Sequence, residues 1–243
     1  MLKTRGIVFR TVKYGETSVI ADIFTEERGL HTFVAGGVRA AKSRMPFNLF
    51  QPMTVVDMVT YFREDSHALN RLKELRAGHV FRSIPFDIRR GAVALFLAEV
   101  CRKSIHEADE NRPLFEFLLD VLIFLDETPH PFANLHLHFL LQLSGFLGFQ
   151  PHEDFDAGGA ALFFDLKDGL FLPAPPAHPH YLAPAAAAQV LALLHVPLEH
   201  SHEIAITRPE RKHLLESLLK FYALHVPNFS EVHTPEILEL VLG

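Results

Sequence analysis

The hydrophobic period of this chain changes at Ser83-Ile84-Pro85, and that change restricts the fold more than any motif does. Upstream, apolar and polar residues alternate in the two-residue rhythm of strands. RGIVFRTV (Arg5–Val12) opens the series, and TSVIADIFT (Thr17–Thr25) puts Val19, Ala21 and Ile23 on one face. The turn TEERGL, with Gly29, returns the chain as GLHTFVAGG, which makes a hairpin the economical arrangement. TVVDMVTYF (Thr54–Phe62) is a fourth β-rich run, and Leu69–Val80 offers a fifth, although Leu69, Leu72 and Leu75 also fit helical spacing. Five short strands without crossover helices predict a small antiparallel barrel over residues 1–80, and an OB-fold fits best.

Downstream, Val93, Phe96, Leu97, Val100 and Cys101 repeat at the spacing of one helical face, as do Leu114, Phe117, Leu118, Val121, Leu122 and Leu125. Thr128-Pro129-His130-Pro131 breaks the chain before a third helix through Leu135, Phe139, Leu143 and Phe146. Thr207-Arg208-Pro209-Glu210 forms a capping box that starts a helix at Arg208, and Thr234-Pro235 starts a shorter one. Two apolar runs flanking Lys167-Asp168-Gly169 predict a β-hairpin inserted at about 152–175. The Pro-rich PAPPAHP that follows cannot be helix interior and reads as a linker. The expected fold is therefore α+β: an OB barrel over 1–80, then a helical domain over 81–243 carrying a small β insertion.

Charge divides along the same line. Residues 1–80 hold 12 Lys and Arg against 8 Asp and Glu, whereas residues 81–243 hold 11 against 21, so the net charge of -6 conceals a basic beginning. Polyanion binding belongs at that end, in Arg5, Arg10, Lys13, Arg39, Lys42 and Arg44 above all. No apolar run reaches the roughly 18 residues a membrane span needs, and the opening has no continuous apolar signal core, so a cytoplasmic protein is expected. Cys101 is the sole cysteine, which excludes an internal disulfide and every multi-cysteine zinc arrangement. The His136/His138 pair sits two residues apart on a helix, about 200° around its axis, and cannot chelate one ion. No GxxxxGK[ST], GxSxG or HExxH occurs, so neither catalysis nor a metal or other cofactor is expected.

The ordered string Gly6-Ile7-Val8, Tyr14-Gly15-Glu16, Thr25, Gly29, Ala35-Gly36, Arg39, Lys42-Ser43-Arg44 and Pro52 resembles the opening of the RecO family of DNA repair proteins. LLQLSGFLGFQP (Leu140–Pro151) resembles the segment that ends a central helix before that family's zinc region. Many members bind zinc there through four cysteines; HEDFDAGGAALFFD has none, so this chain is expected to lack the metal, with Leu162, Phe163, Phe164, Leu170 and Phe171 holding the hairpin instead. The resemblance implies a non-enzymatic recombination mediator that binds single- and double-stranded DNA and anneals complementary strands in the nucleoid. It also implies partners: RecR, the C-terminal tail of the single-strand DNA-binding protein and, indirectly, the RecA recombinase.

Annealing needs no covalent step, only a cationic surface that lowers repulsion between two phosphate backbones. By composition Arg5, Arg10, Lys13, Arg39, Lys42 and Arg44 would make an ordinary solvated face; the resemblance turns them toward DNA. Tyr14, beside Gly15 in a polar turn, is the aromatic expected at the surface, with Tyr61 and Phe62 as weaker stacking candidates. In the acidic remainder, Arg89, Arg90, Arg102, Lys103 and Arg112 supply most of the positive charge; beside an apolar groove they would clamp a partner's terminal carboxylate. The competing function is an RNA-binding OB-fold chaperone or translation-associated protein.

Overall fold

The computed structural model describes residues 1–40, 43–62, 69–153 and 161–242. Five strands, β1 (Leu2–Tyr14), β2 (Ser18–Thr25), β3 (Gly29–Ala35), β4 (Val55–Tyr61) and β5 (Asn70–Ala77), close into a barrel in the order β1-β2-β3-β5-β4. The thirteen residues of β1 serve two neighbours. Leu2–Ile7 pairs with β4 and Gly6–Tyr14 with β2, with a register shift between Val8 and Arg10 where the strand bends. Where both pairings overlap stands Gly6, and a Cβ there would lie 2.6 Å from Ile23 Cγ2 and 3.1 Å from Met58 Sδ. Only glycine lets the strands cross this closely.

Four seams of the barrel are antiparallel, as expected, and the fifth, β3 with β5, is parallel. A closed ring with an odd number of strands cannot alternate direction throughout, so one seam must run parallel. The interior is filled by the alternate residues of each strand, among them Val19, Ala21, Ile23, Phe33, Met58 and Leu72, and Val38 and Met45 from the loop after β3 are buried with them. Of the two readings of residues 69–80, the strand is the one adopted.

Helices α1 (Ile88–Ser104) and α2 (Arg112–Glu127) belong with the barrel in one compact unit, Met1–Glu127, so the grouping of contacts differs from the change in hydrophobic period. Two polar ties explain this. The Asp126 carboxylate accepts the backbone N–H groups of Arg82, Ser83 and Ile84 at 2.7–2.8 Å, binding the chain that leaves the barrel to the end of α2. Burial opposes ionisation of Asp126, but those three N–H groups prevail and hold its carboxyl below the ordinary range. The second tie is the Glu26 cluster described below. Asp87 caps α1 by accepting the N–H of Arg89 at 2.8 Å and of Arg90 at 3.4 Å.

The second unit, from Thr128 onward, contains α3 (Leu135–Phe146), α4 (Pro184–His195), α5 (Arg208–His225), α6 (Pro235–Leu242) and a three-stranded sheet. The expected capping box starts α5: Thr207 accepts from the Glu210 N–H while the Glu210 carboxylate accepts from the Thr207 N–H at 2.7 Å. Strands β6 (Phe163–Asp165) and β7 (Leu170–Leu172) form the expected hairpin, although residues 154–160 of the insertion lie outside the described residues. The Pro-rich segment is more than a linker, since it leads into a third strand, β8 (Tyr181–Leu182), paired with β6. Phe164 stacks on Phe171 with centroids 4.8 Å apart and meets the edge of Phe221 from α5 at 5.5 Å. The Asp165 carboxylate accepts the N–H groups of Lys167 and Asp168, with His178 Nε2 3.2 Å away, which ties the Pro-rich segment to the turn.

Candidate nucleic-acid interface

The outward residues of the barrel fall into rows set by strand register. One row crosses all five strands: Val12 pairs with Ile20, Ile20 with Val34, Val34 with Arg71 and Arg71 with Tyr61. Their sequence neighbours Val19, Phe33, Leu72 and Thr60 are buried, so this row faces outward. Toward the rim, Tyr14 pairs with Ser18, and Ser18 Oγ lies 3.9 Å from the Cβ position of Gly36; on β5 the next outward side chain is Lys73. On the other side, Arg10 pairs with Asp22, whose carboxylate accepts from Thr32 Oγ1 at 2.9 Å.

The resulting surface mixes cations with exposed rings. Tyr14 and Tyr61 are 53% and 51% exposed, and Arg10, Lys13, Arg71 and Lys73 all reach solvent. An open groove of about 1060 Å³ lies along the β3–β5 seam between Val34, Gly36, Met45, Tyr61, Arg71 and Lys73. Phe62 borders it too, but His31 meets that ring edge-on at 4.8 Å and the Arg28 guanidinium lies 5.5 Å from its centroid, so Phe62 serves as a prop. The loop after β3 joins the same rim. The Arg39 N–H donates to Thr17 O at 2.9 Å, seating the loop on the β1–β2 turn beside Lys13 and Tyr14. Arg44 is exposed between Ser43, which exchanges hydrogen bonds with the Met45 backbone, and Met45, which enters the core.

Among the residues expected to bind DNA, Arg10, Lys13, Tyr14, Arg39 and Arg44 are thus exposed on the outer barrel face and its rim, whereas Lys42 lies outside the described residues. Arg5 is engaged elsewhere. Its guanidinium makes two hydrogen bonds to Glu26, at 2.7 and 2.9 Å, reaches Glu116 Oε1 at 2.5 Å, and rests over the Phe115 ring. Arg112 adds bonds to Glu26 Oε1 at 2.7 and 2.9 Å. The Glu26 carboxyl is drawn down to about 2, first by the Arg5 hydrogen bonds, against the cost of burial, and then by Arg112. Arg5 and Arg112 therefore join the barrel to the loop and helix after α1. Arg5, expected among the DNA contacts, thus has its charge met by two carboxylates.

The five cations assigned to a partner groove do not converge. Arg90 donates to Leu125 O, the Lys103 ammonium is buried against Glu99 at 2.8 Å, and Arg112 serves Glu26. Only Arg89 and Arg102 remain at the surface of α1, thirteen residues apart. Internal pairing thus takes up three of the five.

Arg71 and Lys73 are the residues that sequence reasoning missed. Their signal is the alternation Asn70-Arg71-Leu72-Lys73, which sends both cations to one face once the segment is a strand; the competing helical spacing of Leu69, Leu72 and Leu75 obscured it.

The zinc that the family resemblance brings into question does not fit this chain. The lone thiol, Cys101, is fully buried in α1, and burial pushes it far above its ordinary titration range. Among the described residues no three His, Cys, Asp or Glu side chains gather in a way that would hold a metal ion. The three-stranded sheet rests on Phe164, Phe171, Phe221 and the Asp165 hydrogen bonds.

Fold and site together define an OB-barrel protein with a cationic and aromatic outer face, followed by a helical body. Residues 1–81 match the family model described as recombination protein O N terminal, and residues 85–231 match recombination protein O C terminal. Similar proteins include those called DNA repair protein RecO from Phocaeicola vulgatus (35% identical, covering 98% of this chain and 97% of the relative) and Bacteroides fragilis (36%, 98% and 97%). That of Flavobacterium psychrophilum is 30% identical over the whole of this chain and 99% of its own. The chain belongs to the RecO family and is a DNA repair protein. Among the described residues no helix is long and apolar enough to cross a membrane.

Proposed function

We propose that residues 1–80 bind single- and double-stranded DNA along the outer barrel face, and that the protein anneals complementary strands without enzymatic chemistry. The observation that carries this reading is the row from Val12 to Tyr61, with Arg71 between Val34 and Tyr61 and with Lys73 and Tyr14 beside the row. Arginine and lysine neutralise phosphates whatever the sequence, and exposed tyrosines accept any base face. A surface of this kind holds one strand while leaving hydrogen-bonding base edges open to a complement. Arg10, Lys13, Arg39, Lys42 and Arg44 extend the cationic track. With four or five phosphates neutralised, the logarithmic salt slope for single strands is about -3.

In this reading the protein works in the cytoplasm, associated with the nucleoid. It engages RecR and the tail of the single-strand DNA-binding protein, and helps load RecA onto coated DNA. The test is fluorescence-monitored annealing of complementary oligonucleotides coated with single-strand-binding protein, comparing wild type with Arg71→Ala/Lys73→Ala. Annealing by wild type and its loss in the variant support the reading. Folded wild type that anneals nothing at any salt, but binds RNA, supports the chaperone instead.

A further inference from the structure

The turn that enters α1 carries apolar side chains where water would normally exclude them. Phe86 is 86% exposed, Ile88 76% and Val80 72%, all within nine residues of chain. A single exposed hydrophobe is ordinary; a cluster containing a nearly naked phenylalanine marks an interaction surface. The segment is not loose. Its backbone is fixed by Asp126 on residues 82–84, by the Ser83 carbonyl on the Phe86 and Asp87 N–H groups, and by the Asp87 cap. The apolar groups are therefore held outward on a rigid base.

The patch continues along α1. Ile88, Leu95 (43% exposed) and Arg102 follow at steps of seven residues, which on an α-helix return to the same side. The stripe spans fourteen residues, about 21 Å. Arg82 and Arg89 are exposed beside Phe86 and Ile88. The acids beside the stripe in the chain are committed: Asp126 to three backbone N–H groups, Asp87 to the helix cap and to Arg90 at 3.7 Å, and Glu99, between Leu95 and Arg102, to Lys103 at 2.8 Å.

We propose that this stripe docks an acidic amphipathic helix of a partner protein, lying lengthwise on α1 with apolar anchors over Phe86, Ile88 and Leu95 and carboxylates facing Arg82, Arg89 and Arg102. Charge selects an acidic partner, and the seven-residue spacing selects a helix of about four turns. Nucleic acid fits less well, because Val80, Ile88 and Leu95 offer aliphatic surface that neither phosphate nor a base face uses. A second copy meeting the same patch would oppose arginine to arginine. This surface is distinct from the barrel face proposed for DNA and does not depend on that reading.

The test uses the full chain and a fluorescein-labelled 18-residue helical peptide with leucines at seven-residue-repeat a and d positions and glutamates elsewhere. Fluorescence anisotropy should show binding that weakens as salt rises, and at least about tenfold loss for Phe86→Ser/Ile88→Ser and for Arg82→Glu/Arg89→Glu. Both variants should keep wild-type thermal melting and wild-type binding of a thirty-residue oligothymidylate. Replacing the peptide glutamates by lysine, or its leucines by serine, should abolish binding. Absent binding to wild type, equal binding to the Phe86→Ser/Ile88→Ser variant, or displacement of the peptide by oligothymidylate overturns the proposal. So does sedimentation showing a dimer that the same variant dissolves, since the surface would then belong to a second copy.

Discussion

Arg5 and Arg10 lie on one strand, five residues apart, and have opposite fates. Arg5 is anchored between Glu26 and Glu116 over Phe115, while Arg10 extends into solvent across from Asp22. The difference comes from what each strand neighbour brings. Near Arg5 the β2–β3 turn delivers Glu26 into a largely enclosed site, with its side chain only 8% exposed, and there an ion pair must be complete or it becomes costly. Near Arg10 the sheet surface is open, and charge is held at little cost for a ligand to use. A basic segment thus separates into cations that assemble the protein and cations that it displays.

The largest effect that would break this distinction is on stability. Glu26→Ala leaves Arg5 and Arg112 without their shared carboxylate and should cost about 3 kcal/mol in urea unfolding; Arg71→Ala/Lys73→Ala should cost under about 0.5 kcal/mol. Comparable losses in the two variants would mean that both sets of cations are structural. Next comes binding. If Arg71 and Lys73 each neutralise a phosphate, Arg71→Ala/Lys73→Ala should flatten the single-strand salt slope by about 1.4, read by anisotropy over a salt series. Tyr61→Ala should then weaken single-strand binding by about 1–2 kcal/mol with the salt slope unchanged, because stacking releases no counterions. The same ion pairs also set a pH dependence. Glu26 titrates near 2 when folded and near 4.5 otherwise, so its contribution is complete above about pH 4.5 and is lost as pH falls toward 2. Glu26→Gln should remove that portion of the acid-unfolding profile.

Most of the fold was legible because strand and helix periods differ so sharply at Ser83-Ile84-Pro85. The Thr207 capping box and the Lys167-Asp168-Gly169 turn are local chemistry and could be read directly. The parallel β3–β5 seam was hidden, since it follows from ring closure and not from any segment of sequence. The third strand at Tyr181–Leu182 was hidden too; two residues have no period, and only pairing with Phe164 and Asp165 makes them a strand. In the candidate site, Tyr14 at a polar turn was legible as an exposed ring. The engagement of Arg5 was not, because Glu116 and Arg112 lie more than a hundred residues away in sequence. Arg71 and Lys73 were lost to the ambiguity of leucines spaced by three.

The most direct test of where DNA lies is photo-cross-linking with oligothymidylate carrying 5-iododeoxyuridine, which couples to aromatic side chains stacked on the base, followed by peptide mass spectrometry. The account predicts cross-links at Tyr61 and Tyr14, lost when Arg71 and Lys73 are replaced by alanine. Cross-links confined to residues beyond 128, with Tyr14 and Tyr61 unmodified, would contradict it.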